Sequence, residues 1–442
     1  MLDTALETLI EASPALEEAS SVLLENGTLT VVDPARALVL AALARAGDSW
    51  LVVVPTLRDA ERLGAELRAF TRAVAMFPPW ETLPHERLSP RPETVARRLE
   101  ALKRARSGEA HIVIAPVLAA MQHMVPGAES IEPVVVAQGQ TYDPEVLVRD
   151  LVALDYHRTE LVERRGEVAV RGGLIDVFPP TSDHPIRIEF FGDEVESMRA
   201  FAVASQRSLD RVERMEAYPC RELLPTDEVR GRAIAAIEKH PGERIELNRL
   251  ADGMTFEGVE ALIDSLWDEP PVLRDALPAG TRVLVVDPKR TDDRAHELMR
   301  EVEELREAAW SSAGEGGRAP ASGGLADPET ALGEVRARIT PFRGDNPILE
   351  ASVWDVARGD VDKMASAAKQ LMRDGVRVIA TAATTGAAER IREVLRSKDI
   401  PAEFLDANSG QAAVAVAPIE EGFWSPALGL ALIGESDLFG KR

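Results

Sequence analysis

Residues 163–204 read ERRGEVAVRGGLIDVFPPTSDHPIRIEFFGDEVESMRAFAVA. The run breaks into short antiparallel strands. The first spans 167–171, and Gly172-Gly173 allows a bend or bulge because glycine tolerates positive φ. The second spans 174–178 and stops at Pro179-Pro180, which cannot donate to a ladder. The third spans 186–191, and Gly192-Asp193 turns it into a fourth. Side chains alternate faces along a strand, so Ile186, Ile188 and Phe190 share one face while Arg187, Glu189 and Phe191 share the other. In the first strand Val168 and Val170 oppose Glu167, Ala169 and Arg171. If the aliphatic faces build the core, Arg171, Arg187 and Phe191 lie together on the outer surface. An aromatic among arginines has the composition of a binding hot spot. Single exposed apolar residues and surface arginines are also ordinary, so the pattern alone leaves both readings open.

Outward from this stretch the style changes. Residues 28–70 read as strand, helix, strand, helix, with Thr56 and Asp59 forming an N-terminal capping pattern. Residues 50–54 and 111–115 are continuous apolar runs of the kind buried on both faces of a parallel sheet. Between them, 76–90 carries too many prolines for a regular element, and Trp80 is expected to plug this loop against the core. Pro92 opens a helix with Val95, Leu99 and Leu102 on one face. Asp143-Pro144 caps another, carrying Leu147, Leu151 and Leu154. After Cys220 the chain is mostly helical until a buried-type strand at 282–286, and Thr291 is expected to cap the next helix. Residues 311–328 read as a flexible linker, and a last α/β unit begins at 375, with strands at 412–417 and 428–433. The expected fold class is therefore α/β: a doubly wound domain interrupted by an α+β insert, followed by a small C-terminal α/β domain. The boundaries fall at 1–133, 134–219, 220–352 and 353–442. The close, GESDLFGKR, ends without tail or cap, as a truncated chain would.

Bulk properties narrow the class. The chain has 442 residues, 45% hydrophobic and 28% charged, which is a soluble composition of several domains. No apolar run approaches the roughly 18 residues that span a bilayer, so no membrane role is expected. The acidic N-terminal stretch MLDTALETLIEAS lacks the basic start of a signal peptide, and the one cysteine, Cys220, excludes an internal disulfide. These features point to the cytoplasm. A net charge of −23 argues against non-specific nucleic-acid binding by the whole chain.

Catalytic motifs are sparse. A phosphate loop after the first strand needs glycines for close backbone approach and a lysine for the phosphates. The corresponding residues, Thr30 to Ala37, contain neither, Asp33 would repel phosphate and Pro34 removes an amide donor. The run VLVVD ending at Asp287 resembles a metal-binding strand end, but no glutamate follows it. No catalytic residue, cofactor or metal ligand is expected in this chain.

Several motifs carry a resemblance. RGGLIDVFP, IRIEFFGDEVESMRAF and SQRSLDRVE resemble the second domain shared by the excision-repair protein UvrB and the bacterial transcription-repair coupling factors. FPPWETLPHERLSP with VARRLEAL resembles the coupling factors' own first domain, and GLALIGESDLFGKR the stretch just before their polymerase-interacting domain. The resemblance implies an N-terminal, UvrB-like region that recruits UvrA. It places the UvrA contact on Arg171, Arg187 and Phe191. It further implies that the full-length protein is an ATP-dependent DNA translocase. Its partners are stalled RNA polymerase and double-stranded DNA, and its C-terminal domain docks on the second domain at rest. UvrB's working phosphate loop and its long aromatic hairpin have no counterpart here. The alternative is a divergent ATP-dependent DNA-binding helicase core.

Overall fold

Three apolar runs, Trp50–Val54, Ile112–Pro116 and Arg282–Val286, lie side by side at the centre of a six-stranded sheet. The computed structural model describes residues 6–10, 13–82, 86, 88–312, 324–355, 358–406 and 409–440. Across the sheet the order is Thr28–Thr30, Val335–Thr340, Arg282–Val286, Trp50–Val54, Ile112–Pro116 and Val74–Met76, and every pairing is parallel. Parallel neighbours need crossovers, and helices supply them on both faces. Leu51, Val53, Val113 and Val285 pack on one side with the helix Pro92–Arg106. Trp50, Val52, Ile112, Ile114 and Leu284 pack on the other with Arg36–Arg45 and Leu57–Arg68. The Thr56 hydroxyl accepts from the Asp59 N–H at 3.2 Å, as the capping pattern predicts. Thr291 does not cap its helix. That helix, Pro288–Ser312, starts three residues earlier, with proline's fixed φ suited to the first position, and the Thr291 hydroxyl donates to the Val286 carbonyl at 2.8 Å.

The sheet takes strands from two separated segments, 28–116 and 282–340, and the stretch read first lies between them. It supplies the four central strands of a second six-stranded sheet, ordered Ser208–Arg211, Glu194–Phe201, Ile186–Phe191, Leu174–Val177, Glu167–Arg171 and His157–Arg158. All pairs are antiparallel except the last. Gly172, at φ +61°, makes the first hairpin turn, and Gly192, also at +61°, makes another. The inner face packs Val168, Ile175, Ile186, Ile188 and Met198 against Leu147 and Leu151 of the helix Pro144–Ala153. Asp143 caps that helix by accepting from the Glu145 and Val146 amides.

The chain returns from this sheet through a buried ion pair. Arg98 and Glu222 are both fully buried, and the Arg98 Nε–H donates to Glu222. The guanidinium lies 4.1 Å from the Phe77 ring centroid and 4.9 Å from that of Trp80. Trp80 is buried as expected, and its indole N–H donates to Glu222 at 3.1 Å.

A third sheet runs Ser352–Val353, Phe423–Ser425, Leu430–Ile433, Arg377–Ala382, Ala412–Val416 and Glu403–Phe404. The short strands at 352–353 and 423–425 escape sequence reading because neither is long enough to show a period. Residues 313–323 of the expected linker lie outside the described residues. Its end is structured: Leu325 bridges to Gln122, and Asp327 caps the helix Pro328–Leu332. No helix among the described residues is long and apolar enough to cross a membrane.

One face of the third sheet shares a continuous core with the first, through Ile379, Ala415, Phe423 and Leu432. Glu66 lies at this junction. Burial pushes its carboxyl up to about 7, with Arg62 and Arg36 opposing the rise and Asp33 and Glu420 adding to it. A folded-state value above the ordinary one means that the native protein holds this proton more tightly than the unfolded chain. The associated stability is complete below the ordinary carboxyl range and is lost as pH rises through about 7. Glu66→Gln is therefore expected to be more stable than the parent at pH 8, by up to about 3 kcal/mol, with the difference shrinking toward pH 5. Urea denaturation of both proteins at the two pH values checks this.

Candidate partner-binding face

The outer face of the antiparallel sheet carries the three residues singled out in the sequence. Register confirms that they share it: Arg171 sits opposite Leu174, Leu174 opposite Glu189, and Asp176 opposite Arg187. Their environments differ sharply. Phe191, at the tip of the hairpin closed by Gly192, is 77% exposed, the most exposed large apolar side chain among the described residues. Arg171 is exposed, but its Nε and Nη2 donate to the Glu160 carbonyl at 3.1 and 2.6 Å. This clamps the segment 159–165 along the sheet edge, where Val162 buries itself against Ala169, Phe178 and Phe201. Ala169 is thus covered, although alternation places it on the outer face.

Arg187 is not a free surface arginine. It makes a bidentate pair with Asp176, 2.7 Å for each bond, and its guanidinium lies 4.7 Å from the Phe201 ring centroid. The two side chains are 20% and 3% exposed. The Asp176 hydrogen bonds hold the guanidinium above its ordinary value, against the opposing effect of partial burial. Asp176 was legible in principle: it sits on the outer face of the GGLID strand, one hairpin away from Arg187. Only the register makes it a direct partner.

The strand ends of the first sheet present a different arrangement. Where a phosphate loop would place its lysine stands Arg36, 4% exposed, with Nη1 and Nη2 at 3.0 and 2.5 Å from the Asp287 carboxylate. Arg36 also reaches Asp33 at 2.8 Å, and Arg290 reaches Asp287 at 3.2 Å. Asp287, the residue that resembled a metal-binding strand end, has its carboxylate taken by two arginines. Among the described residues no cluster of three or more His, Cys, Asp or Glu is placed to hold a metal. Cys220 is buried, and that burial pushes its thiol far up, as suits a small apolar core residue.

Comparison with known proteins bears on both arrangements. Residues 134–223, the segment containing the antiparallel sheet, match the family model "UvrB interaction domain". The transcription-repair-coupling factor of Mycobacterium tuberculosis is 37% identical over 490 residues, a match that covers all of this chain and 40% of that protein. The chain belongs to the transcription-repair-coupling factor family. It corresponds to the family's N-terminal region. The coupling factor of Bacillus subtilis is 26% identical, covering 92% of this chain and 38% of the relative. That of Escherichia coli is 31% identical over 242 residues, or 52% of this chain and 21% of the relative. The chain thus spans about two fifths of the length of the first of these coupling factors.

The Arg187–Asp176 pair generates a stability prediction. Arg187→Ala leaves a nearly buried carboxylate without its partner and is expected to destabilise the sheet by about 2–3 kcal/mol. Adding Asp176→Asn should recover part of the loss, because a neutral amide is cheaper to bury. Thermal denaturation of the parent and the two variants reads both effects.

Proposed function

We propose that this chain is a non-catalytic, UvrB-like module that recruits UvrA in transcription-coupled nucleotide excision repair. One observation carries the reading. Within the segment that matches the UvrB interaction domain, a sheet built on a well-packed core projects Phe191 almost fully into solvent beside Arg171 and Arg187. An aromatic anchor on a rigid support loses little entropy on docking, which is the physical basis of a hot spot. Phe191 enters an apolar pocket of UvrA, the uncommitted Nη1 of Arg171 meets acidic groups, and Arg187 holds the strand between them. The division of labour follows the sequence: 1–133 and 220–352 form one UvrB-like, helicase-like doubly wound domain, 134–219 the docking insert, and 353–442 a small accessory domain. In the full-length cytoplasmic protein, further domains translocate on double-stranded DNA, engage stalled RNA polymerase and cover the docking face at rest.

Phe191→Ala is expected to weaken binding of purified UvrA by about 2–4 kcal/mol while leaving the fold intact. Titration calorimetry measures it, and an unchanged affinity would overturn the assignment.

The second reading, an ATP-dependent helicase core, meets the Arg36–Asp287 pair. A nucleotide would have to displace a buried bidentate ion pair and would find no glycine loop to receive its phosphates. Titration of the chain with Mg-ATP is expected to give no heat and no rise in Tm. Saturable binding would instead favour the helicase reading.

A further inference from the structure

Beyond Arg187 the outer face continues across two more strands. Arg187 is in register with Arg199, and Arg199 with Arg211, so three arginines stand in one row across adjacent strands. Like charges directly opposite one another on a sheet repel, and such a row is destabilising unless acids interleave it. Of the described acids on this face, only Asp176 is ion-paired to the row. Asp176 is taken by Arg187. Glu189 accepts from the Ser197 hydroxyl at 2.7 Å. Glu167 accepts from the Glu163 and Arg164 amides at the far edge. Glu194 sits at the hairpin tip, opposite Phe191. The side chains of Arg199, half-buried, and Arg211, exposed on the edge strand, make no hydrogen bond or ion pair among the described residues.

We infer that Arg199 and Arg211 form an electrostatic steering strip that extends the docking face around Phe191 toward the sheet edge and fits an acidic surface of the partner. The inference rests on the reading of this face as the UvrA-docking surface and adds which charges guide the encounter. Two features carry it. Arg187 is consumed by Asp176, so the long-range positive field of the row comes from Arg199 and Arg211. The whole chain carries −23, so an acidic partner would be repelled from most of it. A local, unpaired positive strip beside an apolar anchor sets the orientation of approach. Rim charges of this kind act on association rate and salt dependence, whereas a central anchor acts on dissociation.

The test uses the whole chain and purified UvrA, with association and dissociation followed by surface plasmon resonance at several salt concentrations. Arg199→Ser/Arg211→Ser is expected to slow association about tenfold at low salt, to converge with the parent at about 0.5 M salt, and to leave dissociation unchanged. Arg199→Lys/Arg211→Lys, which keeps the charge, is expected to retain the parent rate. Arg373→Ser/Arg396→Ser, the same charge loss in the C-terminal unit, controls for net charge. Melting of the Arg199→Ser/Arg211→Ser variant no lower than the parent shows that the fold is kept. If Phe191→Ala weakens binding while the serine pair matches the parent at every salt concentration, the steering strip is overturned and the docking face stands. If neither variant has an effect, both fall.

Discussion

Arg98 and Glu222 lie 124 residues apart in sequence and meet as a fully buried ion pair at the root of the antiparallel insert. One comes from the helix that flanks the parallel sheet, the other from the chain as it re-enters from the insert. Taking both charges out of water is costly, and the pair is not fully satisfied, since Arg98 Nη2 and Glu222 Oε2 have no partner. The ring faces of Phe77 and Trp80 and the Trp80 indole N–H complete the shell. What the pair secures is position: either charge without the other would be stranded in the core, so the returning segment at Glu222, the proline-rich loop and the helix hold one arrangement together. Beside it, Arg221 bonds Asp155 at 2.6 Å and Glu260 at 3.3 Å, tying the insert to the later helical segment. The outer face of the antiparallel sheet is thereby held on a fixed mount.

Arginine does three separate jobs in this molecule. At Arg98 it is a buried structural cation. At Arg36 it closes the strand-end crevice by pairing with Asp287, in the place where a phosphate loop would keep its lysine. On the insert, Arg187 stiffens the sheet through Asp176, leaving Arg199 and Arg211 with unspent charge. The guanidinium's planar fork suits the bidentate pairs at Arg36 and Arg187, and its weaker hydration lowers the cost of burying Arg98. Exposure alone would not separate these roles; the partners do.

The core strands were legible from apolar runs and alternation, and helix starts at Thr56 and Asp143 from capping chemistry, because these signals lie within a few residues. The shared face of Arg171, Arg187 and Phe191 was legible for the same reason: a period of two fixes facing once a strand is recognised. Thr291 misled because a capping residue type also fits inside a first turn when proline supplies the start. The covered Ala169 and the short strands at 352–353 and 423–425 carry no local pattern at all.

Sequence by itself thus determined the local elements, the faces they present and the absence of a glycine-lysine phosphate loop, since each follows from stereochemistry or residue type at short range. Tertiary structure alone decided which charges are spent. Arg36 and Asp287 are 251 residues apart, and their pairing depends on the strand order of the parallel sheet. Whether Arg187 is pinned or free depends on the hairpin register that sets Asp176 opposite it. Hydrogen-bonded ion pairs form only where the two groups meet within a few ångströms, so which charges are paired is set by neighbours in space, and those the linear order does not specify.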